Sequence, residues 1–158
     1  MTLAYFADLE CPYCRRFQQQ IDSAFSKQQL RVRTLYVHFP LRNHKFAMPA
    51  AIASECAAEQ GRFGAFVKSV YYKQDSLGLK SWSSFAYDAG AFDSTSFRTC
   101  LARGAVSERV AQGMEIGRRL GVRGTPTVII SGWLFNRPPN PTELPSIIAN
   151  WAAGRGPL

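Results

Sequence analysis

Cys11-Pro12-Tyr13-Cys14 stands where one residue pattern gives way to another. Before it, Leu3 to Ala7 is an apolar and aromatic run short enough for a buried strand, and Asp8-Leu9-Glu10 interrupts it. After it, Cys14, Phe17, Ile21 and Phe25 recur at helical spacing, so one face of a helix looks into a core. Pro12 suits the first turn of that helix, where a missing N–H costs no bond. The spacing therefore predicts Cys11 at a helix N-terminus and Cys14 one turn inside, on the buried face. A strand end, a helix start and two thiols meet at one point, and the rest of the chain has to fold around it.

Downstream, Val32 to Phe39 reads as a second strand stopped by Pro40. Strand, helix, strand predicts a right-handed parallel crossover. From about residue 44 to 121 the pattern is helical. Pro49 opens and Gly61 closes an Ala-rich helix, and Phe63, Phe66, Val67, Val70 and Tyr71 stripe the next. Shorter helices are expected over Trp82 to Ala89 and Ser94 to Leu101, and a longer one from Val106 through Val110 and Met114 toward Leu120. Strand signal returns at Thr127 to Ile130, with Ser131-Gly132 as a turn and Trp133 to Phe135 as a short partner. Pro138-Pro139-Asn140-Pro141 reads as a loop. Leu144, Ile147, Ile148 and Trp151 mark a last helix, ending near Gly154. The fold class expected is α/β with a helical insertion, and one domain over residues 1–158.

The 158 residues, 46% of them hydrophobic, suffice for a real core, and no run approaches the ~20 apolar residues a membrane span needs. Nothing at Met1 to Ala7 resembles a signal peptide, which fits either an intracellular protein or a mature, trimmed form. The charge of +8 comes from scattered residues, with short pairs at Arg15-Arg16 and Arg118-Arg119, and no aromatic–basic interleaving marks a nucleic-acid platform. Of the four cysteines, Cys11 and Cys14 are close in sequence while Cys56 and Cys100 are isolated. That asymmetry suggests one reactive pair and one structural pair.

A thiolate, not a thiol, attacks a disulfide, so an exchange site needs one cysteine titrating below the free value of ~8.5. The unpaired N–H groups and dipole of a helix N-terminus supply that at Cys11. Cys14 is placed to attack a mixed disulfide and release the substrate. The same spacing is half a zinc site, but the remaining candidates, Cys56, Cys100, His38 and His44, are all single, and no metal is expected. Asp8 and Glu10 read either as solvated loop charges or as carboxylates able to take the Cys14 proton or raise the Cys11 pKa. His38 and His44 read as core or loop histidines.

With Gly121-Val122-Arg123-Gly124-Thr125-Pro126-Thr127 far downstream, Phe6 to Cys14 resembles the DsbA-like group of thioredoxin-fold oxidoreductases, and the resemblance runs over nearly the whole chain. Phe39-Pro40-Leu41, Ala50 to Phe63 and Phe97 to Leu101 are similar to that group's helical region. The resemblance implies a thioredoxin-like fold with an inserted helical subdomain. It makes Cys11 the exposed nucleophile and Cys14 the resolving cysteine, and it makes Pro126 a cis-proline against the pair. Thr125 would present its backbone to an extended substrate beside Pro12 and Tyr13, and Cys56 and Cys100 would form a structural disulfide.

The same resemblance implies no cofactor beyond the Cys11–Cys14 disulfide, protein or peptide partners bearing thiols or disulfides, and a membrane or soluble recycling partner. It also implies a monomer in an extracytoplasmic setting such as a bacterial periplasm or cell surface. The sequence departs from the group at Gly64, where a bulky aromatic is common, which bears on packing of the insert. It also starts close to the first strand, which bears on localisation.

Cys-Pro-Tyr-Cys occurs in glutaredoxins too, but the stretch from Arg15 to Gly124 is far more than a minimal glutaredoxin holds. Kappa-type glutathione transferases and related isomerases share the inserted scaffold without needing a resolving cysteine, and Cys14 counts against them. A non-catalytic binding module is the remaining alternative.

Overall fold

The computed structural model describes residues 1–28, 32–90, 93–135, 138–140 and 142–156, without the side chains of 27 and 28. Strand β1 (Thr2–Ala7) leads into helix α1 (Pro12–Gln28) and strand β2 (Arg33–His38). Five α-helices follow: α2 (Ala47–Ala58), α3 (Phe63–Tyr72), α4 (Trp82–Asp88), α5 (Ser94–Arg103) and α6 (Glu108–Arg119), with a 3-10 turn at Gln74–Ser76. Strands β3 (Thr127–Ile130) and β4 (Trp133–Phe135) and helix α7 (Glu143–Ala152) complete the chain. Among the described residues the sheet runs β2-β1-β3-β4, with β1 parallel to β2 and antiparallel to β3, and β3 antiparallel to β4.

The period-two alternation of β1 sends Leu3, Tyr5 and Ala7 into the main core, where they join Cys14, Phe17 and Ile21 of α1, Val128 and Ile130 of β3, and Leu144, Ile147 and Ile148 of α7. Each fully buried side chain of this kind contributes about 1.5–3 kcal/mol. Phe6 points the other way and packs edge-on against Phe39, their ring centres 6.0 Å apart. That second face is covered by α6, through its glycines. A Cβ on Gly113 would meet the His38 carbonyl oxygen at 2.5 Å, and one on Gly117 would meet the Phe39 ring at the same distance. Val106 and Leu120 are exposed, and Val110 with the two glycines is buried.

Boundaries shift for identifiable reasons. Helix α2 starts at Ala47 and takes Pro49 within its first turn, where an N–H is spare anyway, and it ends at Ala58, before Gly61. Ser81, Asp93 and Ser107 accept backbone N–H bonds ahead of α4, α5 and α6, so α6 begins at Glu108 rather than Val106. Helix α5 runs on to Arg103 and α4 stops at Asp88. Pro141 of the expected loop lies outside the described residues, whereas Asn140 bonds the Thr142 and Glu143 amides ahead of α7.

The helical block carries its own ties. Cys56 of α2 and Cys100 of α5 are disulfide-bonded, Cα to Cα 5.7 Å, and Phe66 and Phe97 pack 6.0 Å apart. Gly64, expected to affect this packing, is exposed on α3 with open space where a Cβ would be, so the insert packs without a side chain there.

Candidate active site

The two free thiols sit where β1 gives way to α1. The Cys11 amide donates to the Asp8 carbonyl at 3.1 Å, and its carbonyl takes the first helical bond, from Arg15 N. Its Sγ then lies over the free end of the helix. Cys11 Sγ donates to the Thr125 carbonyl at 3.2 Å. The Thr125–Pro126 peptide is cis, and Pro126 is buried.

Cys11 titrates down at about 6. The Cys14 thiol bonding to its sulfur is the largest cause; burial opposes it, and Thr125 and the Cys14 and Tyr13 amides add to the lowering. The helix terminus thus helps, but the partner cysteine does most. Burial pushes Cys14 well above the ordinary thiol range, reinforced by the Cys11 sulfur. Cys14 is wholly covered, and Cys11 itself is only 3% exposed rather than an open nucleophile. The pair is asymmetric: one sulfur is favoured as thiolate and the other is held protonated.

Beside the pair lies an open cleft of about 640 Å³, lined by Tyr13, Val122, Thr125, Pro126, Leu134 and Phe135 among others. Tyr13 is 63% exposed with the Arg16 guanidinium 5.4 Å over its ring, and Pro12 is exposed next to it. A second cleft of about 590 Å³, lined by Gln18, Asp22, Lys68 and Tyr72 among others, shares none of those lining residues.

Asp8 and Glu10 are held by backbone amides rather than standing as free loop charges. Asp8 is 1% exposed; Oδ1 accepts from Glu10 N at 2.8 Å, and Oδ2 from Leu41 N at 2.9 Å and His44 Nδ1 at 2.7 Å. Glu10 accepts from Phe46 N. His38 is a core histidine, 2.9 Å from Glu55 and edge-on to Tyr36 and Phe63. Among the described residues no three His, Cys, Asp or Glu side chains are grouped to hold a metal, and no helix is long and apolar enough to cross a membrane.

A sequence-family model described as "Thioredoxin" matches residues 1–150. The chain belongs to the thioredoxin family. Its fold is that of the family's DsbA-like members. It superposes on BdbD of Bacillus subtilis with a TM-score of 0.80 at 18% identity, over 94% of this chain and 85% of that one. Mtb DsbA gives 0.70 at 21% identity, over 94% and 81%. In sequence it is 32% identical to a protein of Mycolicibacterium gilvum named Na(+)/H(+) antiporter NhaA 1, over 99% of this chain but 25% of that protein. The chain spans about a quarter of the curated relatives it matches.

Two residues of this thioredoxin-family site have roles that no sequence pattern shows. Gln74 Nε2 donates to the Leu9 carbonyl at 2.8 Å and the Cys11 carbonyl at 3.1 Å, and Tyr71 OH donates to the Asp8 carbonyl at 3.2 Å. Both come from the inserted helical block and hold the cysteine loop from behind. An otherwise polar Gln buried after an apolar helix is the only trace of this in the sequence.

Proposed function

We propose that the protein is a thiol–disulfide oxidoreductase acting on extended protein segments, with Cys11 as attacking and leaving sulfur and Cys14 as resolving sulfur. The observation that carries this is the asymmetry of the pair: Cys11 drawn down to about 6, chiefly by the Cys14 thiol, and Cys14 covered and pushed up.

Starting from the oxidised pair, a substrate thiolate attacks Cys11 Sγ. The Cys11–Cys14 bond breaks, and its electrons go to Cys14, which takes a proton. A second substrate thiolate then attacks the substrate sulfur of the mixed disulfide and releases Cys11 as thiolate. The substrate is oxidised, the pair reduced, and a recycling partner restores it. A low-pKa sulfur leaves readily, which favours oxidation; the same thiolate attacking a scrambled disulfide performs isomerisation. The substrate strand lies along the cleft, pairing with the Thr125 backbone against Pro126, with Pro12 and Tyr13 flanking it.

A disulfide between Cys56 and Cys100 supports an oxidising, extracytoplasmic compartment. A similar segment within proteins named antiporters supports a membrane setting for the exchange. The protein acts as one domain and a monomer, with no cofactor other than its redox disulfide.

Equilibration in glutathione buffers tests the direction. A potential well above the roughly −270 mV of thioredoxin, with oxidation of a reduced dithiol peptide, is the expected result. A potential below that value makes the protein a reductant instead.

A further inference from the structure

We propose that His44 is a positioning residue for the Cys11–Cys14 pair, acting through the buried Asp8 carboxylate that it holds. The inference rests on the exchange reaction above for its meaning and adds a residue that neither touches the sulfurs nor belongs to the cysteine motif.

Asp8 ties together everything around the pair. Its carbonyl accepts from Cys11 N at 3.1 Å and Tyr71 OH at 3.2 Å, and its amide favours the charged form of Cys14. The main chain at Asp8 therefore bears on both sulfurs. Its side chain is fully covered and fastens segment 8–10 to segment 39–46: Oδ1 caps Glu10 N, while Oδ2 takes Leu41 N at 2.9 Å and His44 Nδ1 at 2.7 Å. Glu10 adds a second tie, to Phe46 N.

A buried carboxylate without a counter-charge is costly, and a site loses one by protonating or turning outward. Here two of the donors are neutral amides. His44 is the ionisable one, 2.7 Å away with its side chain 21% exposed, so it can exchange its proton with solvent while holding Asp8. If Asp8 lets go, the amides of Glu10 and Leu41 lose their acceptor, and the backbone that fixes Cys11 loosens.

The charged groups facing His44 are Asp8 and Glu10 from the segment after β1 and Cys11 at the head of α1, with the Tyr71 hydroxyl on the Asp8 carbonyl; its own segment adds the exposed Arg42 and Lys45. Burial pulls the His44 pKa down, but Asp8, then Glu10 and Cys11, outweigh it and raise it. By reciprocity, the imidazolium favours the Cys11 thiolate that favours it.

The test follows the ultraviolet absorbance of the Cys11 thiolate in the reduced protein across pH, for the parent, His44→Ala and His44→Asn. Asn keeps a donor near the Nδ1 position but carries no charge. In His44→Ala the thiolate is expected to titrate at least about half a pH unit higher, roughly threefold less thiolate at the parent midpoint. His44→Asn is expected to fall between the two. Should His44→Ala fail to fold, His44→Asn decides alone: an upward displacement supports the role. Titrations within about 0.2 pH units of the parent for every variant that folds overturn it. The readout needs no substrate, so a parent that exchanges nothing with peptides sinks the proposed function while leaving this result legible.

Discussion

Cys11 and Cys14 differ from Cys56 and Cys100 in everything except burial. All four are covered, none more than 8% exposed. The first pair lies between a strand end and a helix start, where amides, a carbonyl and the second thiol converge on one sulfur. The second joins α2 to α5 in the helical block, where Phe66 packs on Phe97. What sets the two pairs apart is the polar groups aimed at a sulfur, not access to solvent. The block itself serves both pairs: it contains one, and through Gln74 and Tyr71 it steadies the loop of the other.

The largest expected effect breaks the two pairs apart in activity. Cys11→Ser should reduce catalysed insulin-disulfide reduction to the uncatalysed rate, while the double replacement Cys56→Ala with Cys100→Ala should exchange at close to the parent rate. Equal losses in both would mean that the pairs are not functionally distinct.

Stability should sort them the opposite way. Losing the Cys56–Cys100 bond removes a loop constraint across a sequence separation of 44, worth roughly 4 kcal/mol in the chain-entropy view. Denaturant midpoints of the double variant against the parent measure it.

A pH dependence of similar size comes from Cys11, with His44, whose pKa is raised, opposing it as pH rises. The folded pKa of Cys11, about 6, lies below the unfolded thiol value. Such a group adds stability that is fully present above the unfolded pKa and is lost as pH falls through the folded one. The reduced protein should therefore gain up to about 4 kcal/mol between about pH 6 and about pH 9. The gain should vanish in Cys11→Ser, and a flat profile in the parent would remove the thiolate from the site.

Gln74→Ala sharpens the link between block and loop. It leaves the Leu9 and Cys11 carbonyls without their buried donor, at a cost of about 1–3 kcal/mol, and should slow Cys11 alkylation as the loop loosens. The smallest effect is Gly64→Ala, expected to stabilise by up to about 1 kcal/mol without altering exchange, because nothing lies within 4 Å of the new Cβ.

The sequence revealed the parts of this arrangement that are local. Apolar alternation gave β1, helical spacing placed Cys14, Phe17 and Ile21 on the core face of α1, and the motif named the pair. It concealed what depends on residues far apart in the chain. Asp8 and His44 are 36 residues apart and Cys11 and Gln74 are 63 apart, and no periodicity links them. The contact of α6 through Gly113 and Gly117 is hidden as well, because close approach leaves no hydrophobic signal. The sequence points to the helix terminus for the lowered Cys11 pKa, whereas the Cys14 thiol contributes most, a weighting that only the geometry of the two sulfurs supplies.

The most direct measurement is the rate of alkylation of each cysteine in the reduced, folded protein as a function of pH, read by peptide mass spectrometry. Cys11 should react first, with a rate rising through a midpoint near 6, while Cys14 stays protected and Cys56 and Cys100 take no label. Labelling of Cys14 ahead of Cys11, or a Cys11 midpoint at the ~8.5 of a free thiol, would contradict the division of roles on which the proposed exchange depends.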